Sequence, residues 1–172
     1  MKISFGIAAY NEENNIGKQL RAIQMQDYPP NVELSEIIVV ASGCTDNTVD
    51  IVRKFQKKNE HIKLVIEEER SGIYSAHNKI FKCARGDIVV LVNADVLLKK
   101  DAIRHLIFPF KETSVVATYG RAIPINDSKG FWGYVCHFYF KLNYPPQFHR
   151  FDIEGSGGEM TRPCGIITVY VA

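Results

Sequence analysis

The amino-acid sequence predicts an α/β fold of three layers, in which helices cover both faces of a mainly parallel sheet. Two observations lead to this prediction. Short apolar runs rich in strand-forming residues alternate with helix-like segments up to about residue 120. One of these runs, residues 36–41, is apolar on both faces, as a central parallel strand requires. At 172 residues the chain is long enough for one hydrophobic core and short for two ordinary domains.

The N-terminal segment predicts a strand followed by a capped helix. Residues 3–9 form a short apolar run that is typical of a strand. Asn11 is expected to cap the next helix, because its side chain can accept a hydrogen bond from a free backbone N–H. Glu12 and Glu13 are expected in the positively polarised first turn of that helix. The helix should end before the prolines at 29 and 30.

The remaining elements follow the same alternation of strand and helix. Asp46 or Thr45 is predicted to cap a helix that runs to about residue 58. The later segments are predicted as strand 62–66, helix 71–84, strand 87–92, helix 100–108 and strand 114–119. After Pro124 the alternation stops, and residues 131–144 are dense in aromatic side chains. This aromatic cluster is read as core or subunit contact, with a membrane surface or a stacked sugar as the alternatives.

Composition excludes several classes of protein. Twenty-one basic and 19 acidic residues leave a net charge of +2, and 46% of residues are hydrophobic, so the chain is not intrinsically disordered. Lysine and arginine form no basic block, which argues against a nucleic-acid partner. Neither a signal peptide nor a membrane-spanning run is recognisable, and a cytoplasmic protein, with peripheral membrane contact as an option, is expected. The four cysteines have no zinc-site spacing and are expected as free thiols: Cys44, Cys83, Cys136 and Cys164.

Polar and acidic residues follow each of the first four predicted strands. Ligands of open parallel sheets bind beyond the carboxyl ends of the strands, so these residues mark the candidate site. Neither G-x-G-x-x-G nor G-x-x-x-x-G-K-[ST] occurs, which argues against a dinucleotide-dependent dehydrogenase and a P-loop nucleotidase. Asp95 follows the apolar run 88–92 and is a hard oxygen ligand suited to Mg²⁺ or Mn²⁺ beside a diphosphate.

Four segments in this order resemble the family 2 glycosyltransferases of the GT-A fold. They are residues 9–13 (AYNEE), 40–48 (VASGCTDNT), 70–78 (RSGIYSAHN) and 84–95, which ends in Asn93-Ala94-Asp95. The resemblance covers about residues 1–120 and implies a donor-binding part of one GT-A-like domain, with residues 121–172 as an incomplete acceptor side. It implies a role in glycan or cell-envelope synthesis.

The resemblance also implies roles for single residues. The nucleotide-sugar site would comprise Ala9, Tyr10 and Glu12 around the nucleoside, Ala41 and Ser42 at the second strand end, Arg70, Gly72 and Asn78 near the diphosphate, and Asn93, Ala94 and Asp95 in place of the family's D-x-D motif. Asp95 would be the metal ligand. Two positions depart from the family's pattern: Ala41 stands where an aspartate usually reads uracil, and Asn93 replaces the first aspartate of D-x-D.

The sequence identifies no catalytic base. The late acidic residues Asp152, Glu154 and Glu159 lie in no recognisable base motif. The resemblance implies metal-dependent, inverting transfer of a sugar from a nucleotide-diphosphate donor to a hydroxyl of a glycan, a lipid-linked molecule or another acceptor. The alternatives are a non-catalytic nucleotide-sugar-binding module, an inactive truncated glycosyltransferase and, less favoured, a sugar nucleotidyltransferase. A homodimer or a peripheral membrane contact is the further partner expected.

Overall fold

The computed structural model describes residues 1–112, 115–120, 129–143 and 165–169. The strands are β1 (Lys2–Ala9), β2 (Glu33–Ser42), β3 (Ile62–Glu67), β4 (Ile88–Asn93), β5 (Ala117–Gly120) and β6 (Gly165–Val169). The helices are α1 (Ile16–Gln24), α2 (Thr48–Gln56), α3 (Ile73–Cys83), α4 (Ala102–Ile107) and α5 (Phe131–Asn143), and a 3₁₀ turn spans Phe108–Lys111.

The strands form one sheet in the order β3-β2-β1-β4-β6-β5, and each neighbouring pair is parallel. From β1 the chain passes outward to β2 and β3 on one side, and then returns to place β4 on the other side of β1. This reversal creates a topological switch point between β1 and β4, at whose carboxyl end parallel sheets bind their ligands.

Helices cover both faces of the sheet. On one face, Ile16, Leu20, Val52 and Ile103 of α1, α2 and α4 pack with strand residues that include Phe5 in the larger core cluster. On the other face, Ala76 and Ile80 of α3 pack against apolar residues of β2 and β4 in a second cluster. The predicted three-layer α/β/α arrangement with a parallel sheet is therefore confirmed.

The start of α1 differs from the prediction. Asn11 is not a helix cap, and Glu12 and Glu13 do not lie in the first turn, because α1 begins at Ile16 after Asn15. The backbone of Asn11 has φ +54°, in the left-handed region that asparagine tolerates better than most residues. Its side chain bonds to the loop after β2 instead of to the helix. Long-range loop contacts thus replaced the local capping that the sequence suggested.

Other boundaries shift by a few residues. Helix α3 begins at Ile73 rather than at residue 71, since Gly72 has φ +81° and ends the preceding loop. Strand β5 spans Ala117–Gly120 instead of residues 114–119, and most of the aromatic cluster forms α5. The cap position of α2 is Asn47 rather than the predicted Asp46 or Thr45, but the Oδ1 atom of Asp46 accepts the Thr48 N–H at 2.9 Å at the start of the helix.

Two further expectations concern the described part of the chain. Cys44, Cys83 and Cys136 are free thiols, as predicted, and Cys164 lies outside the described residues. Among the helices that the structure describes, none is both long enough and apolar enough to cross a membrane.

Candidate functional site

The carboxyl ends of the first four strands meet at one edge of the sheet. In the strand register Ala8 lies opposite Asn93, Ala9 opposite Ala41, and Ser42 opposite Glu67. The residues predicted to bind a nucleotide sugar therefore follow or end adjacent strands. Their arrangement depends on the loops that leave this edge.

The loop after β1 is cross-linked to the loop after β2. The Oδ1 atom of Asn11 accepts the Thr45 N–H at 2.8 Å, and the Glu13 carboxylate accepts the Asn47 side-chain amide at 2.7 Å. In return the Glu13 N–H donates to Asp46 at 3.0 Å. Because donors and acceptors are exchanged in both directions, the two loops form one hydrogen-bonded unit.

Glu12 belongs to the same unit through its backbone. Its N–H donates to the Thr48 hydroxyl at 2.7 Å, while its carboxylate accepts the side-chain amide of Asn15 at 2.9 Å. Ala9 lies at the end of β1, and its carbonyl accepts the Cys44 thiol at 3.5 Å. Both residues thus lie at the predicted edge, with local partners in the described structure.

The loop after β3 is held against the end of β2. The Ser42 hydroxyl accepts the Ser71 N–H at 3.1 Å, and the Gly43 N–H donates to the Glu67 carbonyl at 2.9 Å. Gly43 has φ +62°, and a Cβ at this position would lie 2.7 Å from the backbone nitrogen of Arg70. Only glycine fits both the conformation and the close approach, so this turn fixes the backbone at Arg70.

Arg70 reaches across to the loop after β1. Its guanidinium carbon lies 4.0 Å from the ring centroid of Tyr10, within the range of a cation–π contact. The Tyr10 side chain is 41% exposed, and Arg70 is also exposed. The structure therefore brings together two residues that the sequence predicted for the nucleoside and the diphosphate.

At the end of β3, a buried glutamate forms an ion pair with a half-exposed lysine of α3. The Glu67 carboxylate is 3% exposed, and its Oε1 lies 2.5 Å from Lys79 Nζ and accepts the Ser75 hydroxyl at 3.1 Å. Burial alone would raise the pKa of this carboxyl, but the bonds from Lys79 and Ser75, together with the nearby Ser42 hydroxyl, outweigh it and hold the pKa below its usual value. Glu67 is therefore an ionised group that ties β3 to α3.

Asp95 lies two residues after the end of β4. It is exposed, and among the described residues its carboxylate has neither a hydrogen-bond partner nor an ion-pair partner. Asn93 is half-buried at the last position of β4, and Ala94 is buried. The carboxyl end of β4 thus presents a free carboxylate next to the switch point.

The donor set at Asp95 fits a divalent cation that is shared with a ligand. Within the described residues, no three histidine, cysteine or acidic side chains are grouped to enclose a metal ion. Mg²⁺ and Mn²⁺ commonly bind one or two carboxylates and complete their shell with water and substrate phosphates. A single unpartnered carboxylate meets that requirement when the ligand brings a diphosphate.

Two predicted residues make no side-chain contact with this edge. Asn78 lies on the exposed side of α3, and Gly72 has open space around it, with nothing within 4 Å of a Cβ added there. Ala41 is fully buried and supplies no carboxylate. The described structure also has two cavities elsewhere: one of about 530 Å³ along α2, and one of about 390 Å³ at the amino ends of the strands, lined by Lys2, Ser35, Glu36, Glu60, His61, Lys63 and Arg85. The candidate site is defined by the Asp95 carboxylate and the Arg70 guanidinium at the carboxyl edge, and not by the size of a cavity.

Several residues that organise the site escaped the sequence interpretation. Glu67 stands in an acidic run with Glu68 and Glu69, and its place at the end of an apolar strand is the signal that could have marked it as buried. Asn47 and Thr48 bond to the loop after β1, and no local pattern in the sequence indicates these contacts.

Comparison with known proteins decides the family. Residues 4–167 match the model of the family described as Glycosyl transferase family 2. The chain belongs to this family. The sequence resemblance and the predicted GT-A architecture are therefore confirmed, and glycosyltransferase is the enzyme class of its relatives.

Individual relatives of this family 2 chain show the same relationship. A Methanococcus voltae dolichyl N-acetyl-alpha-D-glucosaminyl phosphate 3-beta-D-2,3-diacetamido-2,3-dideoxy-beta-D-glucuronosyltransferase is 36% identical over 105 residues, which is 60% of this chain and 32% of that protein. The structure of Staphylococcus aureus TarS 1–349 with UDP has a TM-score of 0.62 and 30% identity, and the match covers 73% of this chain and 37% of that fragment.

A third comparison involves a metal. The mannosyltransferase PcManGT from Pyrobaculum calidifontis, solved with GDP-Man and Mn²⁺, has a TM-score of 0.60 and 29% identity, covering 78% of this chain and 38% of that one. The family 2 chain spans between about a quarter and a third of the length of the curated relatives it matches.

Proposed function

We propose that this family 2 glycosyltransferase chain binds a nucleotide-diphosphate sugar at the carboxyl edge of its sheet, together with Mn²⁺ or Mg²⁺, and transfers the sugar with inversion. The observation that carries the proposal is the Asp95 carboxylate, which is exposed beside the switch point and without a partner among the described residues. An isolated carboxylate at a diphosphate site would repel the ligand unless a cation neutralised both charges.

The described residues suggest which side chains would bind each part of the donor. Asp95 would hold the cation, and Asn93 could add an amide oxygen beside it. When bound, the metal ion would offset the negative charge that grows on the departing diphosphate. Arg70 would contribute a second cation from the loop after β3, and Ser42 would keep that loop in place through its bond to Ser71.

The nucleoside would lie over the loop after β1, against Ala9, Tyr10 and Glu12, with Ala41 at its edge. Relatives support donors of more than one base, since TarS was solved with UDP and with UDP-GlcNAc, and PcManGT with GDP-Man. Gly72 and Asn78 would adjoin the diphosphate from the start of α3. Residues 1–120 would then form the donor part of the domain, and residues 121–172 a portion of the acceptor side.

In an inverting transfer, a base removes the proton of the acceptor hydroxyl while its oxygen attacks the anomeric carbon from the face opposite the diphosphate. The carbon–oxygen bond to the diphosphate breaks, and its electron pair leaves with the nucleotide. Asp152, Glu154 and Glu159, the late acidic residues considered for the base, lie outside the described residues.

Thermal shift with nucleotide sugars tests the donor site. UDP-, GDP- and dTDP-sugars are each added with and without Mn²⁺, because a ligand that binds only the folded state raises Tm. At least one donor should raise Tm only when Mn²⁺ is present, and Asp95→Ala should abolish that rise. The control Asp50→Ala, at an exposed position of α2, should retain it. Metal-independent stabilisation that survives Asp95→Ala would contradict the site. Saturable binding without release of nucleotide would instead support the non-catalytic module.

The acceptor and the membrane contact form the second part of the proposal. The Methanococcus voltae relative is named for a dolichyl phosphate acceptor, and α5 exposes Phe131, Trp132 and Tyr134 by 61% or more. Tryptophan and tyrosine favour the boundary between lipid and water. We infer a cytoplasmic enzyme whose α5 touches a lipid surface, with an acceptor hydroxyl on a lipid-linked glycan.

Co-sedimentation with anionic phospholipid vesicles tests this contact. The protein should pellet with the vesicles, and Trp132→Ala should reduce the bound fraction severalfold, since an interfacial aromatic contributes binding through its buried area. Tyr74→Ala, at an 82% exposed aromatic on α3, is the control and should have no effect. A homodimer in sizing experiments that Trp132→Ala dissociates, with no vesicle binding, would assign α5 to subunit contact.

A further inference from the structure

The outer side of helices α1 and α2 concentrates positive charge. Residues 16–24 and 48–58 together contain six basic residues and one acidic residue, which is a net charge of +5. Since the whole chain has a net charge of +2, the other residues together carry −3. All six cations are exposed, and together they are called the α1–α2 basic face: Lys18, Arg21, Arg53, Lys54, Lys57 and Lys58.

Packing between the two helices joins cations that the sequence keeps apart. Gly17 of α1 has no side chain, and a Cβ at this position would lie 3.5 Å from Ile51 and 3.6 Å from Phe55 of α2. The guanidinium carbon of Arg21 lies 5.5 Å from the centroid of the Phe55 ring. The cations of α1 therefore adjoin those of α2, although neither segment alone is a basic block.

Little of this charge is neutralised within the described part of the chain. There, the four lysines of the face form no ion pair, and Arg53 pairs with Asp50 at 3.4 Å, with both side chains more than half exposed. Exposed pairs of this kind contribute little, because water screens them. Arg53, Lys54 and Lys57 also line the cavity of about 530 Å³ along α2, beside the single described carboxylate of Asp50. Soluble surfaces normally mix both signs of charge, so this face suits an anionic partner.

The side chains of the face favour a lipid surface over a nucleic acid. Four of the six cations are lysines, which act as point charges, whereas arginine predominates where phosphate is bound by two parallel hydrogen bonds. Single-stranded nucleic acids also stack on exposed aromatic rings, and the aromatic residue of the two segments, Phe55, is half-buried beside Arg21. A bilayer needs neither feature, since its anionic headgroups attract nearby lysine and arginine side chains by charge.

We propose that the α1–α2 basic face binds the negatively charged surface of a phospholipid bilayer and holds the enzyme against the leaflet that contains its acceptor. The inference rests on the proposed function and deepens its membrane contact: α5 would contribute buried aromatic area, whereas the basic face adds a requirement for anionic lipid. Its six cations are separate from the residues assigned to the donor. Each cation near such a surface strengthens binding about fivefold.

Vesicle flotation at low salt tests the inference with the full chain and without donor. The protein should bind vesicles that contain phosphatidylglycerol at least tenfold more tightly than vesicles of phosphatidylcholine alone. The double variant Lys54→Gln, Lys57→Gln loses two cations but keeps residues of good helix propensity, and it should bind the anionic vesicles at least tenfold more weakly. At about 1 M NaCl, where charges are screened beyond about 3 Å, the variant and the unaltered protein should bind alike.

The matched control is Lys82→Gln, Arg85→Gln. It removes the same charge from exposed positions in and just after α3, the helix on the opposite face of the sheet, and it should change binding by less than about twofold, since distant charges are screened.

Several results would overturn the inference. If the control loses as much binding as the double variant, net charge governs binding and the face does not. Equal binding to neutral and anionic vesicles would leave α5 as the contact, which Trp132→Ala tests separately, and no binding to either would exclude both contacts. Tighter binding to a single-stranded oligonucleotide than to the vesicles, lost in the double variant, would assign the face to nucleic acid.

The donor site is measured independently of the vesicles. The double variant should retain the rise in Tm that a donor causes in the presence of Mn²⁺, because neither lysine belongs to the donor site. If the unaltered protein shows no such rise but binds anionic vesicles through the basic face, donor binding fails and the present inference stands.

Discussion

The two edges of the sheet each contain a buried glutamate paired with a lysine, and the pairs differ in how fully the carboxylate is satisfied. At the amino edge, Glu36 Oε1 accepts the Ser4 hydroxyl at 2.5 Å and the Arg85 N–H at 2.8 Å, and its Oε2 lies 2.7 Å from Lys63 Nζ. At the carboxyl edge, the bonds of Glu67 converge on Oε1, and its buried Oε2 has no partner within the described structure.

Glu36 is therefore part of a structural junction, whereas Glu67 lies at the edge where the ligand is proposed to bind. Glu36 joins β1, β2, β3 and the approach to β4 through saturated bonds, and a buried network of this kind fixes one arrangement. Glu67 ties one strand to one helix and leaves part of its bonding capacity unused. The carboxyl edge therefore gives up stability where the donor is proposed to bind, as functional sites commonly do.

Neutralising each glutamate gives the largest expected contrast. Glu36→Gln should lower the free energy of unfolding by about 2–4 kcal/mol, because the new amide would face Lys63 with donor against donor. Glu67→Gln should cost about 1–2 kcal/mol, because Oε1 keeps its two partners and the amide replaces the oxygen that has none. Urea denaturation of the two variants measures both values. Equal losses would show that the edges do not differ in this way.

Acid sensitivity gives a smaller contrast of the same kind. Burial alone would raise the pKa of Glu36, but bonds from Lys63, Ser4 and the Arg85 N–H outweigh it, and its pKa lies below its usual value, as does that of Glu67. A carboxyl whose pKa is lower in the folded state contributes stability that is complete above about pH 4.5 and is lost as pH falls through the folded pKa. The free energy of unfolding should therefore decline below about pH 5.

Urea denaturation at several pH values between 3 and 6 measures this decline, since unfolding takes up protons there. Glu36→Gln should be less stable throughout and should show a shallower decline, because one of the carboxyls with a lowered pKa no longer titrates. A variant whose decline is as steep as that of the unaltered protein would show that other carboxylates govern acid unfolding.

The architecture could be predicted from the sequence because burial dominates it. Runs such as residues 36–41 and 88–92 are too apolar to lie anywhere except in a covered sheet, and helices with one apolar face must then cover it. The relative order of polar motifs after each strand also indicated which edge would hold the chemistry.

The detailed site could not be predicted to the same extent, because its contacts link residues distant in the chain. Asn11 has a good local use as a helix cap, but its bonds to Thr45, 34 residues away, take precedence. Glu67 resembled its solvated neighbours Glu68 and Glu69, and only the position of Lys79 shows it to be buried and paired. Propensity describes local choices, whereas these side chains are placed by tertiary contacts.

The exchange of hydrogen bonds between the loops after β1 and β2 has a consequence for protein engineering. Asn11 and Glu13 in one loop form hydrogen bonds with Thr45, Asp46 and Asn47 in the other. The two segments therefore form a single structural unit. Sugar-nucleotide preference could be altered by replacing one segment with that of a relative. Such a replacement would leave hydrogen-bond donors and acceptors without partners in both loops. Replacing both segments together keeps the hydrogen bonds between the two loops.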